Sequence, residues 1–372
     1  MVDPGPSPTG PPKEGTGQRC PHSRADALKC APLLVYIVGM NPGASPHEPG
    51  RSAALGTDAR RALGGLVSLV DDPNVRDIML HARDGSGELW VDRGGGVEVV
   101  GGWAAPAREV RELAVRLIAA GGRHLDELNP VVDVRLGDGI RVHAVLEPVA
   151  VAGTVISIRL PALRPLSFAD VVAGGACSPA VARLLVDSVA GKRNLLITGG
   201  TGSGKTTLLS ALFSLVPAAE RIVTIEDVAE LRPDHRHHIA LEARQANIEG
   251  VGEVSLERLL REALRMRPDR IVLGECRGAE IATLLAALNT GHEGGAGTLH
   301  ANRIQDVPAR LEALGMLAGL GREALARQAT VLDLVVHVTR LGGHYQIAQL
   351  GRLRVGEAGT LEVRAREAAD YQ

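Results

Sequence analysis

The sequence predicts an α/β protein in which a mainly parallel sheet follows a smaller α+β domain, and three observations support this prediction. Residues 167–372 alternate short apolar runs with helical segments, a pattern typical of a parallel sheet covered by helices on both faces. The glycine-rich stretch Gly199–Thr207 joins one apolar run to the helical segment that follows it. Residues 55–160 contain short apolar runs separated by glycine-rich turns, which predicts an α+β arrangement.

Residues 1–54 are rich in proline and lack helical or strand periodicity, so they predict a disordered leader or a wrongly assigned start. Residues 55–160 predict helices over 57–70 and 106–120 and strands over 75–81, 88–92, 97–100 and 153–160, with a hairpin over 132–146. Residues 161–166, which hold two prolines, are the predicted linker to the second domain.

In the second domain, four strands are predicted to alternate with helices. The strands are Asn194–Thr198, Arg221–Glu226, Arg270–Gly274 and Gly297–His300, and the helices cover 178–190, 205–215, 255–266 and 279–289. Further helices over 306–317 and 322–332 precede three strands that predict an antiparallel extension, Leu334–Thr339, His344–Gly351 and Leu361–Ala365. Ligands of such sheets bind at the carboxyl ends of the parallel strands.

The composition limits the possible functions. A net charge of -2 argues against a chain-wide field for polyanions, and the 2% aromatic content leaves few platforms for stacking nucleic-acid bases. The four cysteines have no CxxC or CxxH spacing, so neither a zinc site nor a disulfide framework is predicted. No apolar run approaches the roughly 20 residues of a membrane span. We therefore expect a cytoplasmic protein that binds no nucleic acid directly and reaches a membrane only by docking.

The predicted hairpin contains two arginines that face each other. A three-residue turn, Gly137–Gly139, pairs Leu136 with Ile140 and places Arg135 opposite Arg141. Like charges across a strand pair repel unless an anion lies nearby. The two arginines are therefore either solvated or directed at a phosphate.

The stretch GGTGSGKTT has the spacing of a phosphate-binding P-loop. Its backbone N–H groups and the following helix N-terminus would hold ATP phosphates, while Lys205 would reach the β- and γ-phosphates and the Thr206 hydroxyl would bind Mg²⁺. Only four of the 41 basic residues are lysines, which indicates that lysine chemistry is required here. The predicted ATP-binding residues are Gly200, Thr201, Gly202, Ser203, Gly204, Lys205, Thr206 and Thr207.

Carboxylates end two of the predicted strands. Glu226 ends one strand, and Glu275 ends another in the position of a Walker B carboxylate. Either glutamate could orient the attacking water, and Glu275 could act on Mg²⁺. A solvated acidic turn is the alternative for the segment after Glu226, and Cys276 is either a small residue or a reactive thiol.

Two segments contain histidines with a candidate functional role. His292 and His300 flank a glycine-rich turn, and a histidine at a strand end can sense a γ-phosphate by hydrogen bonding. The segment Asp234–His238 resembles a metal cluster, but it lies in a proline-bearing loop and contains Arg236, which favours a solvated loop.

Four blocks in this order, GGTGSGKTT, TIEDVAEL, GECRGAE and TGHEGGAGTLHAN, resemble those of the type II/type IV secretion and pilus ATPase superfamily. GECRGAE followed by NTGHEG is similar to the tight-adherence (Flp) pilus and conjugal-transfer branch, and the resemblance covers about residues 60–355. The chain lacks the tetracysteine zinc module of the type II assembly ATPases.

The resemblance implies a RecA-like P-loop domain that hydrolyses ATP with Mg²⁺, in a homohexamer that is peripheral at the inner face of the cytoplasmic membrane and docks to an integral-membrane platform protein. It implies catalytic roles for Glu226, Glu275 and His300 and nucleotide sensing by His292 and His300. It also implies phosphate contacts, within or between subunits, for Arg135, Arg141, Arg159, Arg244, Arg265 and Arg277. The function implied is a motor for pilus assembly or secretion; the alternatives are a conjugative DNA-transfer motor or another nucleic-acid motor, and a scaffold that binds nucleotide without hydrolysing it.

Overall fold

The computed structural model describes residues 50–137, 139–244, 251–341 and 344–371. Residues 1–49 of the predicted leader and Asp138 of the hairpin turn lie outside the described residues. The end of the predicted leader is structured, because Arg51–Ala54 form a 3-10 helix. The buried Arg51 guanidinium donates hydrogen bonds to the carbonyl oxygens of Val70 and Asp72, both at 2.8 Å. These distant acceptors fix the segment, and no local sequence pattern reveals them.

The first sheet is antiparallel throughout, with the strand order β3-β2-β1-β7-β6-β5 and β4 beside β2. Its strands are β1 (Asp77–Arg83), β2 (Ser86–Asp92), β3 (Val97–Val99), β4 (Ala105–Pro106), β5 (Val131–Leu136), β6 (Ile140–Val145) and β7 (Val155–Arg159). Three helices accompany it, α1 (Thr57–Leu63), α2 (Val67–Asp71) and α3 (Ala107–Ala120). The predicted helix over 57–70 is interrupted at Gly64, which has a φ of 51°. Alternate residues of the strands and the apolar face of α3 form one core.

The predicted hairpin register is confirmed. Leu136 pairs with Ile140, Val134 with Val142, and Arg135 with Arg141.

The second sheet is mixed, with the strand order β10-β9-β11-β12-β8-β13-β14-β15. Its strands are β8 (Leu195–Gly199), β9 (Ile222–Glu226), β10 (His238–Glu242), β11 (Arg270–Cys276), β12 (Ala296–His300), β13 (Leu334–Leu341), β14 (His344–Val355) and β15 (Leu361–Glu367). In this order, adjacent strands from β10 to β13 run parallel to each other, and β14 and β15 extend the sheet with antiparallel pairings. The P-loop follows β8, so it lies at the carboxyl edge of the parallel strands.

Helices cover both faces of the second sheet and enclose two apolar clusters. They are α4 (Phe168–Ala173), α5 (Pro179–Ala190), α6 (Lys205–Phe213), α7 (Leu256–Leu264), α8 (Glu280–Asn289), α9 (Val307–Leu317) and α10 (Arg322–Ala329), with 3-10 turns at Ile304–Asp306 and Ala368–Asp370. Every residue of β8 and β9 is buried, as parallel strands covered on both faces require. In the part of the chain that the structure describes, no helix has both the length and the apolar character needed to cross a membrane.

Two elements of the second sheet differ from the prediction. The helix α4 was not predicted, although Ser167 and Asp170 form a capping box at its start. The prediction of a loop over Asp234–His238 is wrong at its end, because His238 begins the edge strand β10. The residues of β10 are partly exposed on both faces of the sheet, so the strand lacks the alternation of apolar and polar residues that would reveal it.

Candidate active site

The loop between β8 and α6 is the centre of the candidate active site. Gly204 precedes α6 with a φ of 91°, a left-handed conformation that glycine adopts with little strain. Because α6 begins at Lys205, its free N–H groups and positive dipole end adjoin the loop. The local backbone therefore has the form that binds phosphate.

Two polar side chains of this loop fit an anionic ligand. The Lys205 side chain is buried, and its Nζ donates hydrogen bonds to the carbonyl oxygens of Gly199, at 3.1 Å, and Gly200, at 2.8 Å. Burial lowers the pKa of Lys205, and the negative charge of Glu275 opposes that shift. The Ser203 hydroxyl is buried and has no hydrogen-bond partner among the described residues. Phosphate oxygens would give the ammonium a charged acceptor and the hydroxyl a partner.

Glu275 lies near the end of β11, and its side chain is 23% exposed. It accepts a hydrogen bond from Arg277 Nε at 2.8 Å, and this contact raises the pKa of Arg277. Arg277 also lies 3.5 Å from Asp227, which follows β9. The structure thus brings Glu275 and Arg277 together at the carboxyl edge, in the electrostatic neighbourhood of Lys205.

Glu226 occupies a different environment from Glu275. It is 5% exposed, and its carboxylate accepts hydrogen bonds from the backbone N–H groups of Glu230 and Leu231, both at 3.1 Å. Burial raises the pKa of Glu226 to about 7, although these N–H groups favour the ionised form. A side chain in place of Gly274 would overlap Glu226. Glu226 therefore holds the turn after β9, and its oxygens are already occupied.

The two histidines of the predicted sensing pair lie at opposite ends of β12. His300 ends the strand, and its Nε2 is 3.1 Å from the Thr201 hydroxyl of the P-loop. Burial and the charge of Lys205 lower the pKa of His300, which favours the neutral imidazole. His292 precedes the strand and lies 3.3 Å from the Ala287 carbonyl at the end of α8. The strand between them spans about 13 Å, so the structure brings only His300 to the loop.

The arginine pair of the first sheet belongs to a charged row that crosses five strands. Arg135, Arg141 and Arg159 are in register on β5, β6 and β7, and the row continues to Asp77 and Asp92 on β1 and β2. Burial raises the pKa of Asp77, and Arg159 opposes that shift. Three arginines thus lie side by side on three neighbouring strands. The sequence predicted this arrangement for Arg135 and Arg141.

Carboxylates from the second sheet meet this row. Arg135 pairs with Glu242, the last residue of β10. Arg141 lies 3.3 Å from Glu230 in the turn after β9. In this structure the anions beside the repelling arginines are therefore two glutamates.

The structure separates two other predicted arginines from the P-loop. Arg244 follows the edge strand β10, four strands from β8 or about 19 Å across the sheet. Its Nε donates to the Gly252 carbonyl at 2.6 Å. Arg265 caps the carboxyl end of α7, which runs back toward the amino edge, and it pairs with Glu262 at 3.3 Å. Within one chain, neither arginine adjoins the loop.

Sequence reasoning missed Tyr345, which lies on the P-loop. A Cβ on Gly204 would come within 2.7 Å of the Tyr345 ring. Arg76, which precedes β1, donates to the Tyr345 hydroxyl at 3.1 Å. The guanidinium groups of Arg76 and Arg340 lie 6.0 and 5.7 Å from the ring centroid. Tyr345 is one of only three tyrosines, and that rarity was the one available signal.

The remaining predicted groups have ordinary surroundings. His235 contacts the Pro217 carbonyl at 3.1 Å, and His238 lies 2.9 Å from the Thr224 hydroxyl. Cys276 is buried, and burial raises its pKa, which disfavours a thiolate. Among the described residues, no group of three or more His, Cys, Asp or Glu side chains is arranged to hold a metal ion. Mg²⁺ bound beside phosphates needs only one or two protein ligands, so Thr206 and Glu275 stay predictions.

Comparisons with known proteins identify the family of this chain. The family described as "Type II/IV secretion system protein" matches residues 77–350. A Mycobacterium tuberculosis protein provisionally named a conjugal transfer protein is 49% identical over 304 residues, 79% of this chain and 85% of that protein. Conjugal transfer protein TrbB of Rhizobium radiobacter is 34% identical over 284 residues, 74% of this chain and 83% of that protein. The structure of the Legionella pneumophila ATPase DotB has a TM-score of 0.54 at 20% identity, covers 84% of each chain and shows a similar fold.

A phosphate-binding loop at the carboxyl edge of a parallel sheet, with a carboxylate near the end of β11 at the same edge, is typical of a P-loop nucleoside triphosphatase. The chain belongs to the type II/IV secretion system protein family, and it is an ATP hydrolase. The resemblance seen in the four sequence blocks is confirmed.

Proposed function

We propose that this protein is a homohexameric motor that couples hydrolysis of Mg·ATP to assembly of a Flp or type IV-like pilus, or to secretion, across the cytoplasmic membrane. The observation that carries the proposal is the pairing of the arginine row with the second sheet, through Arg135–Glu242 and Arg141–Glu230. The protein then consists of an α+β domain over 55–160, a linker over 161–166 and a RecA-like domain over 167–372. These ion pairs would couple events at the P-loop to the angle between the two domains.

ATP would bind to Gly200–Thr207, with Lys205 moving from the loop carbonyls to the phosphates. Thr206 and Glu275 would hold Mg²⁺, which supplies charge stabilisation to the phosphoryl group. Glu275 is the better candidate to orient water, because the Glu226 oxygens already accept backbone N–H groups. His300 would report the state of the nucleotide through its contact with Thr201.

The arginine row supplies the coupling. Phosphate oxygens carry more charge than one carboxylate and compete for guanidinium groups. Arg135 and Arg141 would therefore exchange their glutamate partners for nucleotide, Arg159 would join them at the phosphates, and the first domain would close over the site. Such an exchange would move the domain once in each cycle.

The remaining arginines would act between subunits. Arg244 and Arg265 lie away from the P-loop of their own chain, so we place them at the site of a neighbour. Arginines supplied by another subunit raise phosphoryl-transfer rates by about 10³-fold to 10⁵-fold in other enzymes. The assembled ring would lie peripherally at the inner face of the membrane, on an integral-membrane platform protein.

Complementation between two inactive variants tests the shared site. Lys205→Gln removes the P-loop ammonium, and Arg265→Gln removes the arginine offered to a neighbour. A mixture of the two should recover ATPase activity, because a Lys205→Gln subunit supplies Arg265 to an intact P-loop. Arg258→Gln, an exposed arginine on α7, is the matched control and should hydrolyse ATP alone. Activity per protomer that stays constant on dilution to monomers would refute the intersubunit mechanism.

A conjugative DNA-transfer motor is the second candidate function, because both relatives described above are named conjugal transfer proteins. Against it stand the net charge of -2 and the 2% aromatic content. Single-stranded DNA should leave the ATPase rate unchanged if the pilus or secretion function is correct. Strong stimulation by DNA would reverse the ranking.

A further inference from the structure

A pocket of about 320 Å³ lies at the edge of the second sheet opposite the P-loop. It is lined by Leu334, the first residue of β13, and by Leu350 of β14. Leu334 pairs with Leu195 at the start of β8, whereas the P-loop follows Gly199 at its end. These two ends of β8 are about 13 Å apart, so the pocket is separate from the ATP site.

Among the described residues, four arginines and no acidic residue line this pocket. Arg193 precedes β8, Arg352 belongs to β14, and Arg364 and Arg366 belong to β15. Among the residues that the structure describes, none of the four guanidinium groups has a hydrogen-bond or ion-pair partner. The pocket therefore concentrates positive charge that no described side chain neutralises.

The pairing of β14 with β15 shows where the positive charge is concentrated. Arg352 lies directly opposite Arg364, a like-charged pair that destabilises a strand pairing. On one side of it, Arg354 forms a salt bridge with Glu362 at 2.7 Å. On the opposite face of the same two strands, Gln349 donates a hydrogen bond to Glu367 at 2.6 Å. The two strands thus pair complementary polar groups elsewhere, and Arg352 faces Arg364 as a like-charged pair.

We propose that this pocket binds a phosphate-bearing ligand. Four formal positive charges would be poorly neutralised by one carboxylate, whereas a phosphate ester or a pyrophosphate carries more charge and more oxygens. The planar guanidinium group binds phosphate through two parallel hydrogen bonds. Leu184, Leu350 and Tyr371 line the same pocket and offer apolar and aromatic surface to the organic part of the ligand.

Two sources could supply this chemistry, a soluble phosphate compound and the headgroup of an anionic phospholipid. The test uses the full chain with its P-loop saturated by Mg·ADP, so that added phosphate cannot bind there. Inorganic pyrophosphate is titrated calorimetrically, and flotation is measured with phosphatidylcholine vesicles that contain or lack phosphatidylglycerol. Binding of pyrophosphate alone identifies a soluble ligand, and binding of the phosphatidylglycerol vesicles alone identifies a headgroup.

The double variant Arg352→Gln/Arg364→Gln should weaken that binding by about tenfold or more, the scale of losing charge-assisted hydrogen bonds. Arg354→Gln is the matched control and should change binding by less than about twofold, because Glu362 already neutralises that charge. Arg193 lines the pocket from the segment before β8, so Arg193→Gln should also weaken binding. This variant makes the test independent of the β14–β15 pairing.

Equal binding by the double variant and by Arg354→Gln would overturn the proposal, as would failure of the wild-type chain to bind either probe. If the chain binds a polyglutamate peptide but neither pyrophosphate nor the phosphatidylglycerol vesicles, the ligand of the pocket is an acidic protein segment and not a phosphate compound. The melting temperature of the double variant should equal or exceed that of wild type, since a repulsion is removed. If the double variant fails to fold, Arg193→Gln alone decides the outcome.

Discussion

The two edges of the second sheet treat repelling arginines in opposite ways. Near the carboxyl edge, the row that contains Arg135 and Arg141 meets glutamates from the neighbouring sheet. At the amino edge, Arg352 faces Arg364, and no carboxylate lines the pocket in the part of the chain that the structure describes. The same unfavourable pairing is thus neutralised by the fold at one edge and left to a ligand at the other. Under the proposed function, the first arrangement would link domain position to nucleotide, whereas the second would only hold its phosphate ligand.

The largest difference between the two edges should appear in kcat when the lysine at each edge is replaced. Lys205→Gln removes the ammonium at the carboxyl edge and should lower kcat by about 10²-fold to 10³-fold, the usual loss when one group that stabilises developing charge is removed. Lys192→Gln, at the amino edge, removes an ion pair with Glu220 at 3.7 Å and should change kcat by less than about twofold. Phosphate-release assays measure both rates.

Similar rates for the two variants would remove the functional distinction between the edges. Comparable melting temperatures are the necessary control, because Lys205 is buried and its replacement could also affect folding.

Much of the carboxyl edge could be predicted from sequence. The P-loop spacing fixes a short backbone segment, and strands that end in Glu226, Glu275 and His300 must meet at one edge of a parallel sheet. The Arg135–Arg141 register was predictable because a three-residue turn determines which residues face each other. These inferences depend on contacts close in sequence or on the direction of parallel strands.

The parts that sequence did not reveal depend on distant contacts. The predicted strand His344–Gly351 stops one residue before Arg352, so the sequence did not predict that Arg352 pairs with Arg364. The partners of Glu226 are backbone N–H groups, which carry no sequence signal. His292 was grouped with His300 because the two are close in sequence, but the five-residue strand β12 separates them. Tyr345 reaches the P-loop from β14, more than a hundred residues further along the chain.

The stability of the carboxyl edge should depend on pH through Glu226. Burial raises its pKa from 4.5 to about 7 in the folded protein, so the folded state binds more protons than the unfolded state between these values. Stability should therefore fall as pH rises through this window, by up to about 3 kcal/mol. Denaturant unfolding of wild type and Glu226→Gln across the window measures the effect.

The Glu226→Gln variant cannot titrate at this position, so its stability relative to wild type should increase with pH. Parallel pH profiles for the two proteins would show that Glu226 keeps an ordinary pKa, and its burial would then have no consequence for folding.

The smallest effects should have opposite signs at the two edges. Glu242→Gln removes the negative charge that pairs with Arg135 and accepts a hydrogen bond from the Ala229 N–H at 3.0 Å. The variant should therefore lower the free energy of unfolding by about 0.5–1.5 kcal/mol. Arg352→Gln relieves a cross-strand repulsion and should raise it by about 0.2–1 kcal/mol. Thermal unfolding at low and moderate salt measures both effects, and screening should reduce the gain from Arg352→Gln. A loss of stability in Arg352→Gln would mean that the arginine stem packs against the sheet more than its charge repels Arg364, and the two edges would then no longer differ in how they treat charge.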